Sequence, residues 1–169
     1  MLNNVIDEPI EYGKKVTLRY KMQVFLPDGK KADKEYEKVI DFIYGVEEQV
    51  ESLEKAIYGA KKGDRFKVHI PPHQLYGERD KNLIREIPKK GLIKQRVRKG
   101  QYYRQIKNGV LISFKVLEIK PDSVLADFNP PLAGVSADLD VEVLDVRKAS
   151  DEEIESARRI EAKRKIGCE

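Results

Sequence analysis

Few residues in this chain of 169 have the type and spacing that enzymes use for covalent chemistry. His69 and His73 lie four residues apart, a spacing at which two imidazoles can share a metal ion on a helix. Pro71 and Pro72 stand between them and exclude that helix, because proline fixes φ and lacks a backbone donor. Cys168 is the only cysteine and is next to last in the chain, so an internal disulfide has no second partner. We therefore expect neither a metal site nor a cofactor.

Motifs that bind phosphate or activate a nucleophile are also missing from the sequence. There is no Gly-rich phosphate loop, no Ser or Cys nucleophile motif and no paired-Cys metal knuckle. One aromatic hydroxyl, that of Tyr76, follows the Pro71-Pro72 turn and directly precedes Gly77. What remains for function is an apolar, tyrosine-containing sheet with a helix across it.

Periodicity predicts the elements that would position such a site. Apolar residues at every second position, or turn residues between β-rich segments, predict strands over residues 15–26, 39–44, 66–70, 83–88, 101–107, 110–119, 123–128 and 137–147. A helix is predicted over 46–58, because Val46, Val50, Leu53 and Ile57 follow one helical face. Asn108-Gly109 suits a tight hairpin turn, and the capping box that starts at Ser150 begins a charged terminal helix.

Composition divides the chain into a host domain and an insert. The amino-acid composition changes abruptly after Tyr76-Gly77 and at 129–134 returns to that of the first residues. We therefore predict a discontinuous domain of residues 1–78 and 128–169. Residues 79–127 form the insert and hold 13 Lys or Arg against 5 Asp or Glu, a local charge of +8. The rest of the chain carries −4. The basic insert is either a solvated surface or attracts nucleic acid, the ribosome or acidic polypeptide.

Overall composition excludes some classes of protein. Hydrophobic residues make up 40% of the chain and charged residues 37%, which is typical of a globular protein rich in charge. No apolar run reaches 18 residues, so no membrane span is predicted. The first residues lack a basic region followed by an apolar stretch, and we expect a cytoplasmic protein.

The motifs, taken in order, resemble those of FKBP-type peptidyl-prolyl isomerases of the SlyD kind, which carry an insert-in-flap chaperone domain. The matching segments are residues 16–20, the Asp28-Gly29 hairpin with Asp33, the helix ending at Gly59, and residues 63–66, 75–77, 129–134, 139–143 and the Ser150-capped helix. The resemblance covers roughly 150 residues and includes the insert after Tyr76-Gly77.

The resemblance implies an α+β, mainly β fold, in which an antiparallel sheet wraps around the short helix and a small β unit is inserted. It also implies that the protein speeds cis–trans rotation about Xaa-Pro bonds and binds unfolded chains. Carried over by position, the polar members of the isomerase pocket are Tyr20, Asp33 and Tyr76. Its apolar walls are Ile40, Val50, Leu53 and Leu139.

The sequence departs from the family pattern at the pocket. Leu53 stands where an aromatic residue often forms the floor, Leu139 where Phe is common, and Ser52 where Gly usually precedes the floor residue. Ala32 precedes Asp33 where many members have a larger residue. We expect a shallower or wider pocket and slower catalysis, and a holdase without isomerase activity stays an alternative. There is no His- and Cys-rich tail, so the nickel chemistry of some relatives does not transfer.

The insert has more apolar side chains than a unit of its size can easily bury, which predicts an exposed chaperone surface. Its predicted members are Ile84, Ile87, Leu92, Ile93, Val97, Tyr102 and Tyr103, with Lys94, Arg96, Arg98 and Lys99 at the rim. The expected partners are unfolded or nascent polypeptides with Xaa-Pro bonds, and the ribosome or RNA is the alternative. We expect a monomer that binds no membrane.

Overall fold

The computed structural model describes residues 7–92 and 96–167, which form two compact units. The first unit comprises the described residues up to Leu75 and those from Val135 onward, and the second runs from Tyr76 to Gly134. The predicted insert boundaries, 79 and 127, lie a few residues inside the second unit. Ile93, Lys94 and Cys168, which were singled out above, lie outside the described residues.

Strands form most of the ordered structure. In chain order the elements are β1 (Lys14–Phe25), β2 (Lys31–Ile43), α1 (Glu51–Ile57), β3 (Arg65–Ile70), β4 (Ile84–Pro88), β5 (Tyr102–Lys107), β6 (Val110–Ile119), β7 (Ser123–Asp127), β8 (Ser136–Lys148) and α2 (Asp151–Lys165). Short 3₁₀ turns lie at Pro72–Gln74, Lys81–Leu83 and Lys89–Leu92. The α+β, mainly β fold class is thereby confirmed.

The first unit is one antiparallel sheet in the order β2-β1-β8-β3, with α1 packed on its apolar face. Val16 and Leu18 of β1 lie fully buried in the core, as the alternation predicted. Leu53 and Ile57 are the buried residues of α1 and belong to the same cluster. The helix therefore stabilises the sheet by excluding water from its centre.

Two elements of the first unit differ in length from their predictions. The helix predicted over 46–58 is limited to Glu51–Ile57, and the chain turns at residues 44–46, with Gly45 at a φ of +81°. Val46 instead packs near α2, against Ile43, Ala149 and Ala157. The strand predicted over 39–44 begins at Lys31, since pairing with β1 extends β2 through residues that have no apolar period of their own.

Side chains from distant segments hold α1 in place. The Ser52 N–H in its first turn donates to Gln74 Oε1 at 2.9 Å, and Val50 at the N-cap makes no side-chain cap of its own. The Tyr44 hydroxyl donates to the Glu54 carbonyl at 3.0 Å. These contacts satisfy backbone groups that a short helix leaves open.

The second unit is a separate antiparallel sheet in the order β4-β7-β6-β5. Asn108 and Gly109 join β5 to β6 with φ values of +53° and +76°, which confirms the predicted hairpin turn. The unit has its own core, formed by Leu92, Phe114, Val116, Val124 and Ala126.

The two chain ends of the second unit are joined by a buried polar network. Asp127 accepts hydrogen bonds from Arg79 Nη2 at 2.7 Å and from the N–H and Nδ2 of Asn129 at 2.9 and 2.7 Å. Asn129 in turn bonds both backbone groups of Asp80, and the Gly134 N–H donates to the Gly77 carbonyl at 2.8 Å. The incoming and outgoing segments of this unit are thus fastened to each other.

The terminal helix α2 begins at the predicted capping box, in which Ser150 and Glu153 bond each other's backbone N–H groups. Arg158 on this helix donates to the Tyr12 hydroxyl at 2.9 Å, and the Tyr12 ring covers Gly45. None of the helices in the described part of the chain has the length and apolar character needed to cross a bilayer.

Candidate functional site

Five of the predicted pocket residues lie in one cluster on the apolar face of the first sheet. Leu53 and Leu139 are buried in it, and Tyr20, Ile40 and Val50 are partly buried against it. The strand register brings them together, because Ile40 pairs with Leu18 on β1 and Leu139 pairs with Met22, two positions on either side of Tyr20. The five side chains therefore form one continuous apolar surface around a phenol.

Burial changes along this surface. Val16 and Leu18 at the start of β1 are completely buried, whereas Tyr20, Met22 and Val24 further along the same face are only partly buried. The half of the face nearer the β1–β2 turn thus leaves apolar surface accessible, next to the half that is fully buried. A small apolar ligand could bury itself there at a gain of about 25 cal/mol per Å².

The two tyrosines that line the core of the first unit differ in their hydrogen bonding. The Tyr44 hydroxyl donates to α1, and burial, followed by the charges of Glu54 and Tyr58, raises the pKa of that phenol. The Tyr20 hydroxyl bonds no other described residue, although its ring lies against the core. It is therefore a polar group that a ligand can use without disturbing the fold.

The strand register does not bring Asp33 beside Tyr20, so the place of Asp33 in the pocket stays a prediction from the resemblance. Tyr20 pairs with Lys38 on β2, and Asp33 lies five residues nearer the turn. That separation is about 16 Å along an extended strand. The physical cause is the unbroken run of β2 back to Lys31, which carries Asp33 out along the hairpin, where its side chain is exposed.

Tyr76 is the first residue of the second unit and is largely exposed. Its part in the isomerase pocket stays a prediction from the resemblance. Three further residues, Met22, Phe66 and Leu75, pack partly buried against the same cluster and were not among the predicted site residues. The alternation that selected Tyr20 also points to Met22 on β1, and that of β3 points to Phe66.

Most of the predicted chaperone residues are wholly or partly buried in the second unit. Leu92 is only 5% exposed, and Ile87, Val97 and Tyr103 pack against the buried cluster around it, while Ile84 is partly buried. Tyr102 alone of the described members is largely exposed, at 50%. The small sheet uses these side chains in or around its core, so little apolar surface is left fully exposed at the predicted positions.

Accessible apolar surface remains in two places in the second unit, and the first of them includes the predicted residues Ile87 and Leu92. A cleft of about 720 Å³ is lined mainly by apolar side chains, among them Leu83, Ile87, Ile112 and Phe128. Arg85, Glu86, Lys90 and Lys107 also line it.

A second exposed apolar surface lies at the hairpin tip. Ile106, Val110 and Leu111 beside the Asn108-Gly109 turn are 73%, 61% and 58% exposed. A signal for this surface was present in the sequence. Val110 and Leu111 are consecutive on one strand, so they place an apolar side chain on each face of the hairpin tip, and both faces cannot be buried.

The two histidines lie as the prolines between them require. His69 is on β3, with Nδ1 2.6 Å from Asp138 Oδ1, and His73 is in the 3₁₀ turn that follows, so they share no helix. Within residues 7–92 and 96–167, no group of three or more His, Cys, Asp or Glu side chains is arranged to hold a metal ion.

The sequence of the chain matches a known family of proteins. The family model for FKBP-type peptidyl-prolyl cis-trans isomerases matches residues 7–109, more than half of the chain. The chain belongs to this family. The assignment as an isomerase is thereby confirmed, and the SlyD-named relatives described next confirm the SlyD-like resemblance.

Individual relatives fall into an archaeal and a bacterial group. The chain is 36% identical over 120 residues to the short-type peptidyl-prolyl cis-trans isomerase of Methanocaldococcus jannaschii, covering 71% of this chain and 74% of the relative. It is 33% identical over 113 residues to FKBP-type peptidyl-prolyl cis-trans isomerase SlyD of Aeromonas hydrophila, covering 67% and 53%. The SlyD of Escherichia coli K12 is 28% identical over 116 residues, covering 68% and 59%. The chain thus spans between half and two thirds of these two bacterial relatives.

Proposed function

We propose that the first unit isomerises Xaa-Pro bonds on the accessible apolar face around Tyr20. The observation that carries this proposal is the Tyr20 hydroxyl, which has no partner among the described residues and lies in a surface built from Ile40, Val50, Leu53 and Leu139. An apolar surface with one available donor suits a proline ring and its neighbouring carbonyl. The family assignment supports the same reaction.

The chemistry requires no group that makes or breaks a covalent bond. Rotation about a peptide bond is opposed by the loss of amide resonance, a barrier of about 18–20 kcal/mol. The twisted amide is less charge-separated than the planar one, so a site with little water favours it. Each 1.36 kcal/mol of selective stabilisation gives about a tenfold increase in rate.

Named residues of this chain supply that stabilisation. The aliphatic walls exclude water from the prolyl bond, and Tyr20 donates a hydrogen bond to a substrate carbonyl while the prolyl side turns. The family resemblance supplies Tyr76 as a further donor. Asp33 has no role in this scheme, because β2 carries it away from Tyr20.

We propose that the second unit binds unfolded polypeptide in its apolar cleft. Leu83, Ile87, Ile112 and Phe128 offer an apolar surface of the size that a few client side chains would cover. A client held there is presented repeatedly to the isomerase, which raises its effective concentration. The expected partners are unfolded or nascent chains with Xaa-Pro bonds, and a cytoplasmic, monomeric protein stays our expectation.

Two substrates separate the isomerase from a holdase. We expect the protein to speed both isomerisation of a proline-containing tetrapeptide and the proline-limited refolding of a protein. Suppression of aggregation without turnover of the tetrapeptide would contradict the isomerase proposal and favour the holdase.

Substitutions at two neighbouring residues on opposite faces of β6 test whether the client binds in the cleft. Ile112 lines it, whereas Leu111 is exposed at the hairpin tip. We expect Ile112→Gln to weaken binding of a permanently unfolded client and Leu111→Gln to leave it near wild type, as measured by titration. The reverse order would assign client binding to the hairpin tip and overturn the cleft.

A further inference from the structure

The strongest charge feature of the chain lies in the second unit, and the two proposals above do not use its exposed cations Arg96, Arg98 and Lys99. Residues 87–117, here called the basic half, contain nine Lys or Arg and no Asp or Glu. Such a field attracts polyanions and raises their local concentration. Within it, Arg96, Arg98 and Lys99 are exposed, and none of the three pairs with an acid in the described part of the chain.

The segment that carries these three cations is held in a defined conformation. The Tyr103 hydroxyl accepts a hydrogen bond from the Arg98 N–H at 2.5 Å and donates to the Arg96 carbonyl at 2.9 Å. Gly100 and Gln101 then bond both backbone groups of Val116 on β6. The predicted client contact Tyr103 is therefore an anchor, and the backbone that carries the neighbouring cations is held in place before any partner arrives.

Burial around the anchor directs the charged side chains outward. Val97 packs partly buried against the core of the second unit, while Arg96 and Arg98 on either side of it are exposed. The Tyr103 ring lies 6.1 Å from that of Phe114, which ties the segment to the same core. A preorganised set of cations binds with a smaller loss of side-chain and loop entropy.

An exposed aromatic ring adjoins these cations. Tyr102 is half exposed and only three residues from Lys99, a span of at most about 11 Å. The Lys115 ammonium lies 5.8 Å from the centre of the Tyr102 ring, from the paired position on β6. Cations that follow a backbone, together with a ring on which a base can stack, are the two requirements for binding single strands.

We propose that the basic half of the second unit binds single-stranded nucleic acid. Arg96, Arg98 and Lys99 contact phosphates, Tyr102 stacks on a base, and Lys115 contributes a further cation beside it. An acidic polypeptide would use the charges but has no need of the ring, and a phospholipid surface would use the hairpin tip at Ile106, Val110 and Leu111 instead. This activity is additional to prolyl isomerisation.

The test is a salt titration with a matched control. Labelled oligouridine and oligothymidine are titrated with the full-length protein, and fluorescence anisotropy reports binding as the salt concentration rises. The variant Arg96→Gln/Arg98→Gln/Lys99→Gln is compared with Lys31→Gln/Lys34→Gln/Lys38→Gln, which removes three exposed cations from β2. We expect the first variant alone to lose affinity, and its slope of log K against log salt to fall by about 2, because each phosphate contact contributes roughly 0.7.

The stacking role has its own substitutions. Tyr102→Leu is expected to lower affinity about tenfold at every salt concentration, while Tyr102→Phe, which keeps the ring, stays near wild type. Stronger binding of oligouridine than of oligothymidine would identify RNA as the natural source of the strand, and equal binding would identify single strands of either kind.

Three results would overturn the proposal. These are no binding of either oligonucleotide at low salt, equal losses in the two triple variants, and binding to phosphatidylserine vesicles without binding to oligonucleotides. Tetrapeptide isomerisation by the Arg96, Arg98 and Lys99 variant is measured alongside. Wild-type turnover there shows that the loss of oligonucleotide affinity is not a loss of folding.

Discussion

Tyr20 and Tyr44 are both packed against the core of the first unit, but only one of their hydroxyls stabilises the fold. Tyr44 donates to the Glu54 carbonyl, so Tyr44→Phe should lower the free energy of unfolding by about 0.5–1.5 kcal/mol. Tyr20→Phe should leave stability unchanged and lower isomerase turnover about tenfold, as expected when one hydrogen bond to the transition state is lost. Urea denaturation and tetrapeptide turnover measure the two effects.

The comparison between these variants removes the ambiguity of a single substitution. Tyr44→Phe controls for the loss of a phenol from the same cluster and should turn over peptide at close to the wild-type rate. Asp33→Ala should also keep turnover within about twofold, as an exposed residue away from the site does. Wild-type turnover in Tyr20→Phe, or a large loss in Asp33→Ala, would contradict the site described above.

At the scale of elements, Gly45 controls how the N-terminal segment and α2 meet. Its φ is +81°, and a Cβ there would meet the Tyr12 ring, whose hydroxyl accepts from Arg158 on α2. Gly45→Ala should therefore cost more than the roughly 1 kcal/mol that Gly→Ala costs at a position with positive φ. Thermal unfolding followed by circular dichroism would report the loss.

Gly59→Ala is the matched control for that substitution. Gly59 has a φ of +77°, but no atom lies within 4 Å of the position that its Cβ would take. The difference between the two variants isolates the displacement of Tyr12. Equal melting temperatures would mean that the ring moves aside freely and that the contact with α2 contributes nothing.

The polar network that fastens the second unit predicts a dependence on pH. Burial opposes ionisation of Asp127, but hydrogen bonds from Asn129 and Arg79 outweigh it and lower the pKa of the carboxyl. The folded pKa therefore lies below the unfolded one. The resulting stabilisation is present above the unfolded pKa, near 3.9, and is lost as the pH falls through the folded value.

Asp127→Asn should lower the stability of the second unit by about 1.5–3 kcal/mol at neutral pH, because it removes hydrogen bonds to a charged group. Hydrogen exchange of amides in the second unit would measure the change. The difference from the wild type should shrink at strongly acidic pH. Asp122→Asn, in an exposed turn, serves as the control, and a pH-independent difference would exclude the charge as the cause.

The elements also show which physical information a sequence contains. Alternation identified β1, β3 and β8, because each buries one face, and Asn108-Gly109 identified its turn through the local demand for positive φ. The extent of β2 was missed, since residues 31–38 are strand only through pairing with β1. The placement of Asp33 depends on that register and could not be predicted from a motif.

Burial in the second unit was harder to predict for a related reason. A count of apolar residues does not determine which of them become core, because that depends on how the four strands are ordered. Leu92 and Val97 face inward, whereas Ile106 and Leu111, of the same character, lie exposed on the hairpin. Composition predicted the positive charge of the unit well, because lysine and arginine are rarely buried.

At the scale of the whole molecule, the nested order of the two units predicts that their activities can be separated. Replacing residues 79–127 by a short loop should leave a folded first unit that turns over a tetrapeptide at close to the wild-type rate. Acceleration of proline-limited refolding should fall strongly, because the client is no longer held nearby. Parallel assays of the two substrates measure the split, and equal losses on both would show that the second unit only supports the fold.

The hydrogen bond between the Gly134 N–H and the Gly77 carbonyl also affects the order in which the chain folds. Pairing of Ile70 with Ala137 closes the first sheet across 66 intervening residues, and a flexible loop of that length has a high entropy cost. The second unit lies N-terminal to β8, so a ribosome releases it first. Once Gly77 and Gly134 are joined, the open loop falls to roughly 10 residues, and closure becomes easier by roughly 1.5–2 kcal/mol. During synthesis the second unit would thus act as a brace that holds the two ends of the unfinished sheet within reach of each other.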